Sequence, residues 1–168
     1  ENVAVLDGGL QAWQAAGGAL NTGEEPAHFQ TNFLLKPERA TLVDANQVAE
    51  QLGNPAQTLI DARATPRFKG EVEPLDPVAG HIPGALNRPF SKNLAADGKF
   101  KSAEALKAEF TELLGQRDPA GVVHHCGSGV SALPNLIAME VADLGRSALY
   151  AGSWSDWCSN PERPVAQG

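Results

Sequence analysis

The stretch His125-Cys126-Gly127-Ser128-Gly129-Val130-Ser131-Ala132 constrains this chain more than any other. A short apolar run, Gly121-Val122-Val123, leads into it, and apolar residues then recur at helical spacing from Ala132 to Leu144. The pattern is a strand, a tight loop and a helix. Two glycines this close together let the backbone adopt conformations that side chains forbid, so several N–H groups can turn toward one point. Cys126 stands at that point. Because the loop opens a helix, unpaired N–H groups and the positive end of the helix dipole also face the sulfur, and both favour its anionic form. A cysteine so placed reads as a nucleophile, whereas Cys158 reads as a small buried hydrophobe.

Strands alternate with helices along the rest of the chain. Thr41-Leu42-Val43 precedes Asp44, which caps a helix through about Leu52, and Gly53 ends it. Thr58-Leu59-Ile60 has a buried-strand pattern, with Asp61-Ala62-Arg63 at its C-terminal end. The proline-rich stretch from Gly70 to Gly80 lacks periodicity and reads as an ordered loop over the site. Ala85-Leu86 form a short strand, Ser102 caps a helix from about Ala103 to Leu114, and Ala148-Leu149-Tyr150 supply the last strand. These elements predict an α/β fold, a parallel sheet with helices on both faces. Ligands collect beyond the carboxyl ends of strands in such sheets, where Arg63 and Arg67 fall.

The first residues echo the last. Laid over Tyr150-Ala151-Gly152-Ser153-Trp154-Ser155-Asp156-Trp157, the segment Leu6-Asp7-Gly8-Gly9-Leu10-Gln11-Ala12-Trp13 repeats a short strand, a glycine turn and a tryptophan-bearing helix start. Most of one copy is missing. Residues 21–39, polar and containing Gly23, Pro26 and Pro37, read as a linker before a domain at residues 40–168. The chain opens on Glu1-Asn2 in place of methionine, so a true start upstream is expected, with room there for a targeting segment.

The run from Cys126 to Ala132 resembles the active-site loop of the rhodanese superfamily, and specifically of its 3-mercaptopyruvate sulfurtransferase branch. Gly80-His81-Ile82-Pro83-Gly84-Ala85 resembles a second signature of that superfamily, and Asp61-Ala62-Arg63 with Arg67-Phe68 resembles a further segment. Together the matches span about residues 40 to 165. The resemblance implies a rhodanese-like sheet and a sulfurtransferase that moves a sulfane sulfur from a small anionic donor, through a Cys126 persulfide, to a thiol or cyanide. Many such enzymes carry two domains in tandem, the first usually without the cysteine. Residues 1–20 then read as the tail of a missing first domain that packs on this one; the alternative is an ordinary N-terminal strand and helix.

The same resemblance assigns the site. Backbone N–H groups of Gly127, Ser128, Gly129, Val130 and Ser131 hold the negative sulfur, with no metal and no cofactor. Ser128 can also hydrogen-bond the substrate or relay a proton. Arg67 matches the position that grips a donor carboxylate through two hydrogen bonds. The branch often supplies a second arginine from the loop before the Gly-His-Ile-Pro-Gly run, but Glu71-Val72-Glu73-Pro74-Leu75-Asp76-Pro77 contains none, and Arg88 is the stand-in. Arg63 completes the set as a residue that ties loop to sheet. Thiosulfate-using relatives tend to carry basic residues in the cysteine loop, so this uncharged one favours 3-mercaptopyruvate, with thiosulfate as the other donor.

Composition narrows the alternatives. A net charge of -7 argues against nucleic acid or an anionic membrane surface as partner. Two cysteines make no disulfide framework, and no apolar run approaches the roughly 20 residues that cross a bilayer. A cytoplasmic setting is expected. His124 and His125 point to opposite faces of one strand and cannot share an ion with Cys126. His81 reads as a structural hydrogen-bonder, and Trp13, Trp154 and Trp157 as core or interdomain packing. A cysteine phosphatase needs an arginine where this loop has Ala132. A sulfur-relay or protein-binding module without small-molecule turnover is the remaining alternative.

Overall fold

Short runs of β-branched and apolar residues form the sheet, and the polar cap after the first of them sets the pattern for the rest. The computed structural model describes residues 4–27, 32, 34 and 40–168. Parts of the predicted linker and the start of the predicted first strand lie outside the described residues. A helix α1 at Gly9–Ala15 precedes the domain, which begins with β1 (Leu42–Val43) and α2 (Ala45–Glu50). The Asp44 carboxylate accepts the N–H groups of Asn46 and Gln47, and the Gln47 side chain accepts the Asp44 N–H, a complete capping box. There follow β2 (Thr58–Asp61), α3 (Thr65–Lys69), β3 (Leu86–Asn87), α4 (Ala103–Leu114), β4 (Val122–His125), α5 (Leu133–Val141), β5 (Ala148–Tyr150) and α6 (Ser153–Trp157). The helices at 45 and 133 are shorter than their apolar spacing suggests, each closing in a turn. Three elements escaped the sequence reading: α3, which Pro66 opens at its first turn, and 3-10 turns at Phe90–Asn93 and Pro119–Gly121.

All strand pairs are parallel, in the order β1-β5-β4-β2-β3. Alternation along β4 sends Val122 and His124 to one face and Val123 to the other. The first face packs Ile60, Leu106, Phe110, Ala138 and Met139 between the sheet and helices α4 and α5. The second packs Val48, Leu59, Phe68, Tyr150, Trp154 and Trp157 beneath α2, α3 and α6. This is a parallel sheet with helices on both faces. After β2 the chain crosses to β3 on one side and then returns to β4 on the other. That reversal opens a crevice beyond the carboxyl ends of β2 and β4.

The N-terminal segment differs from expectation. Ala4 to Leu6 form no strand, and Trp13 is 44% exposed, outside the core. Among the described residues α1 meets the domain near Asp7, whose carboxylate accepts the Phe100 N–H, and this leaves its apolar side uncovered. Two local features nonetheless match α6, although the aligned Gly8 and Gly152 differ in backbone conformation, φ 85° against -59°. Gly9 and Ser153, aligned in the repeat, both take left-handed φ, 59° and 57°. The Trp13 and Trp157 indoles each donate to a carbonyl further along, Ala19 O and Pro164 O.

His124 is buried against Met139 and Phe110. Burial, aided by the charges of His125 and Arg88, lowers its pKa from 6.5 to about 3. Below pH 6.5 the unfolded chain takes up a proton that the folded chain refuses, so stability present at neutral pH is lost as pH falls toward 3. Urea unfolding at pH 5 should show about 2 kcal/mol less stability from this group than at pH 7.5. His124→Gln should flatten that dependence; an unchanged slope would contradict the assignment.

Candidate active site

Cys126 follows the last residue of β4 and is 1% exposed, packed beside Ala62 and Ala132. Its backbone is fixed from the far side of the loop. The Cys126 N–H donates to Ser153 Oγ at 3.0 Å, and that hydroxyl donates onward to Tyr150 O at 2.9 Å. Its carbonyl accepts the Trp154 N–H, and the Gly127 carbonyl accepts the Ser155 N–H. Ser153 holds this bridge from a strained left-handed conformation. Helix α5 starts only at Leu133, so residues 127–132 form a free-standing loop. Among the described residues, the N–H groups from Gly127 to Ala132 find no protein acceptor. Ser128 and Val130 are exposed, Gly127 and Ser131 are half-buried, and Gly129 is buried.

A chain of ion pairs faces this loop. The Asp61 carboxylate, at the end of β2, accepts the Arg63 N–H at 2.8 Å and the Arg63 guanidinium at 2.7 and 3.0 Å. Arg63 also donates to Gly80 O at 2.7 Å and to Glu73 at 3.3 Å, while its guanidinium lies 4.7 Å from the Trp154 ring. It thus ties the loop at 70–80 to the sheet and to α6. Glu73 in turn receives Arg67 at 2.6 and 3.2 Å, and Arg67 reaches Asp76 at 3.3 Å. Burial works against a charged Glu73, but bonds from Arg67 and from the Leu75 and Asp76 N–H groups outweigh it and hold its carboxyl below 4.5. The Arg67 Nη1 has no acceptor among the described residues. A Cβ at Gly127 would lie 3.5 Å from it, so this nitrogen borders the cysteine loop.

Arg88 is not brought to this cluster. Along β3 successive side chains alternate: Asn87 turns back to the Asp61 and Arg63 carbonyls, and Arg88 turns to the opposite face. There it is buried over Phe110 at 4.2 Å and bonded to Asn93 and Glu109. His81 stacks on Phe68 and bonds its carbonyl through Nδ1 at 2.8 Å. His125 sits 4.0 Å from Asp61 with neither ring nitrogen paired, and burial lowers its pKa. Burial raises that of Cys158, with Asp76 adding to the effect. The sequence reading missed Ser153, Glu73 and Asp76. The repeat held a signal for Ser153, since Gly9 occupies its place in the other copy.

With this geometry established, comparison places the chain. The rhodanese-like domain model matches residues 44–160, and the chain belongs to that family. It is 50% identical over its whole length to a protein of Pseudomonas aeruginosa named as a probable 3-mercaptopyruvate sulfurtransferase, and covers 59% of it. It is 36% identical, across 98% of its length, to the 3-mercaptopyruvate sulfurtransferase of Escherichia coli, of which it covers 58%. A provisionally named thiosulfate sulfurtransferase of Mycobacterium tuberculosis is 44% identical over 99% of the chain, again 58% of that protein. The chain therefore spans just under three fifths of the length of these relatives. The crystal structure of an anaerobic ergothioneine biosynthesis enzyme from Chlorobium limicola, bound to trimethyl histidine, shares the fold at TM-score 0.86 and 25% identity, over all of this chain and 42% of that one.

Gly129 and Gly127 separate what the loop requires. At Gly129, φ is 86° and a Cβ would collide with Ala151 O; at Gly127 a Cβ would meet only the Arg67 guanidinium, at ordinary contact distance. Gly129→Ala should lower stability by about 1–3 kcal/mol, and Gly127→Ala by much less. Denaturant midpoints check this, and equal losses would contradict it.

Proposed function

We propose that the chain carries the catalytic domain of a sulfurtransferase in which Cys126 takes a sulfane sulfur from 3-mercaptopyruvate, or from thiosulfate, and passes it to a thiol or cyanide. The observation that carries this reading is the loop of N–H groups around Cys126 that, like the Arg67 Nη1 bordering it, have no partner among the described residues. The Cys126 thiolate attacks the sulfur of the donor. With 3-mercaptopyruvate the carbon–sulfur bond breaks, its electrons stay on the carbon, and protonation there releases pyruvate. The outer sulfur remains on Cys126 as a persulfide. Cyanide or a thiolate then attacks that outer sulfur and returns the Cys126 thiolate, so no external oxidant is needed.

The loop's N–H groups lower the cost of negative sulfur in both half-reactions, because they are already oriented when charge develops. Gly127, Ser128, Gly129, Val130 and Ser131 supply them, and the exposed Ser128 hydroxyl hydrogen-bonds the incoming donor. Arg67 holds the donor carboxylate through Nη1, while Glu73 and Asp76 occupy its other edge. Arg63 supports Arg67 through the shared Glu73. Arg88 serves the fold beside α4 rather than the donor. Among the described residues no group of metal-ligating side chains gathers, and the mechanism has no step that calls for one.

Residues 1–20 are proposed as the tail of a preceding rhodanese-like domain, on the strength of the left-handed φ shared by Gly9 and Ser153 and of the matching Trp13 and Trp157 indole bonds. No described helix is long and apolar enough to cross a membrane. A reducing compartment such as the cytoplasm suits a mechanism that needs Cys126 free, as both cysteines are here.

Cyanide-dependent thiocyanate formation, with each donor offered in turn, tests the reading. Cys126→Ser should abolish transfer and Cys158→Ser should leave it. Arg67→Gln should raise KM for 3-mercaptopyruvate by about tenfold or more, the worth of one charge-assisted hydrogen bond. Equal activity in the two cysteine variants would overturn the assignment, and no turnover of either donor by the wild-type chain would overturn the small-molecule reading.

A further inference from the structure

We infer that Asp76, backed by Glu73, sets the net charge of donor that the site accepts and thereby selects monoanionic over dianionic sulfur donors. This rests on the sulfurtransferase reading. It follows from the charges that surround the free edge of Arg67.

Among the described residues, two guanidinium groups, Arg63 and Arg67, stand in this cluster against three carboxylates, Asp61, Glu73 and Asp76. The side chains of Asp61, Glu73 and Arg63 are 3% exposed or less, and those of Asp76 and Arg67 only 9% and 18%, so solvent screens them weakly. The loop from Gly127 to Ala132 adds no charged side chain. A donor that reaches Nη1 of Arg67 therefore meets a hydrogen-bond donor set in a surplus of negative charge. His125 offsets this surplus little, because its burial disfavours the charged form of the ring. Coulomb energy scales with ligand charge, so the surplus penalises a dianion such as thiosulfate twice as heavily as a monoanion such as 3-mercaptopyruvate.

The two acids divide the work. Glu73 is anchored by Arg63, by Arg67 and by the N–H groups of Leu75 and Asp76, which makes it the residue that positions the guanidinium. The Asp76 carboxylate makes one long contact, at 3.3 Å to Arg67 Nη2. Its geometric duty is small, and its charge is the part of it that the site feels.

Asp76→Asn changes that charge and little else. In the full chain it should lower KM for thiosulfate about tenfold and for 3-mercaptopyruvate about threefold, since the logarithmic effect on the dianion is twice that on the monoanion. Asp76→Glu should keep the wild-type ratio. A second readout needs no turnover: the rate at which iodoacetate alkylates Cys126, divided by the rate for uncharged iodoacetamide, should rise about threefold in Asp76→Asn, followed by mass spectrometry of the Cys126 peptide. Equal KM changes for both donors, or an unchanged alkylation ratio, would overturn the inference. A wild-type chain that turns over neither donor would instead sink the sulfurtransferase reading, and the alkylation ratio would still decide the role of Asp76.

Discussion

The active-site architecture rests on the buried ion-pair chain from Asp61 through Arg63 and Glu73 to Arg67. Each link joins a different part of the fold: the end of β2, the carbonyl of Gly80, the loop that carries Glu73, and helix α3. Buried charges of this kind add little net stability when paired, yet removal of one partner costs about 3–5 kcal/mol because the other is stranded. Their value here is positional. They fix where Arg67 ends, and they do so from the opposite side of the crevice to the cysteine loop. The C-terminal residues reinforce the same region, since Ala166 exchanges backbone bonds with His81 and Gln167 bonds Ala79 O.

The cysteine loop is held by a different device. Ser153 accepts a left-handed backbone at a cost of order 1–3 kcal/mol, and in return its hydroxyl occupies the Cys126 N–H. Among the described residues, the N–H groups from Gly127 to Ala132 are left without protein partners. Polar groups in that condition are costly to the folded chain and favourable to an incoming anion, which settles them. The site is thus prepared for negative charge by its backbone and restrained against too much of it by its side chains. The first property favours the anionic form of the Cys126 sulfur; the second opposes the approach of a highly charged anion.

Much of the fold was legible in the sequence because local signals agreed. The Asp44 capping box, the apolar spacing from Ala103 to Leu114, and the short strands at Thr58, Val122 and Ala148 each specify one element without help from the rest. The cysteine loop was legible for the same reason, as a strand, two glycines and a helix in one run. What escaped depends on contacts between distant segments. Nothing local says that Glu73 and Asp76 turn onto Arg67, or that Ser153 reaches Cys126 across the loop. Arg88 was assigned by resemblance alone, and strand alternation carries it to the other face. The strand expected near Val5 needs a neighbour to pair with, and no described residue supplies one.

In the proposed reaction sulfur is carried covalently on Cys126. Incubation of the chain with 3-mercaptopyruvate in the absence of acceptor, followed by mass spectrometry under non-reducing conditions, detects that carrier. Covalent carriage gives a gain of one sulfur atom confined to the Cys126 peptide and lost on addition of cyanide. A chain that releases pyruvate with no added sulfur at Cys126, or that gains it at Cys158, would contradict it.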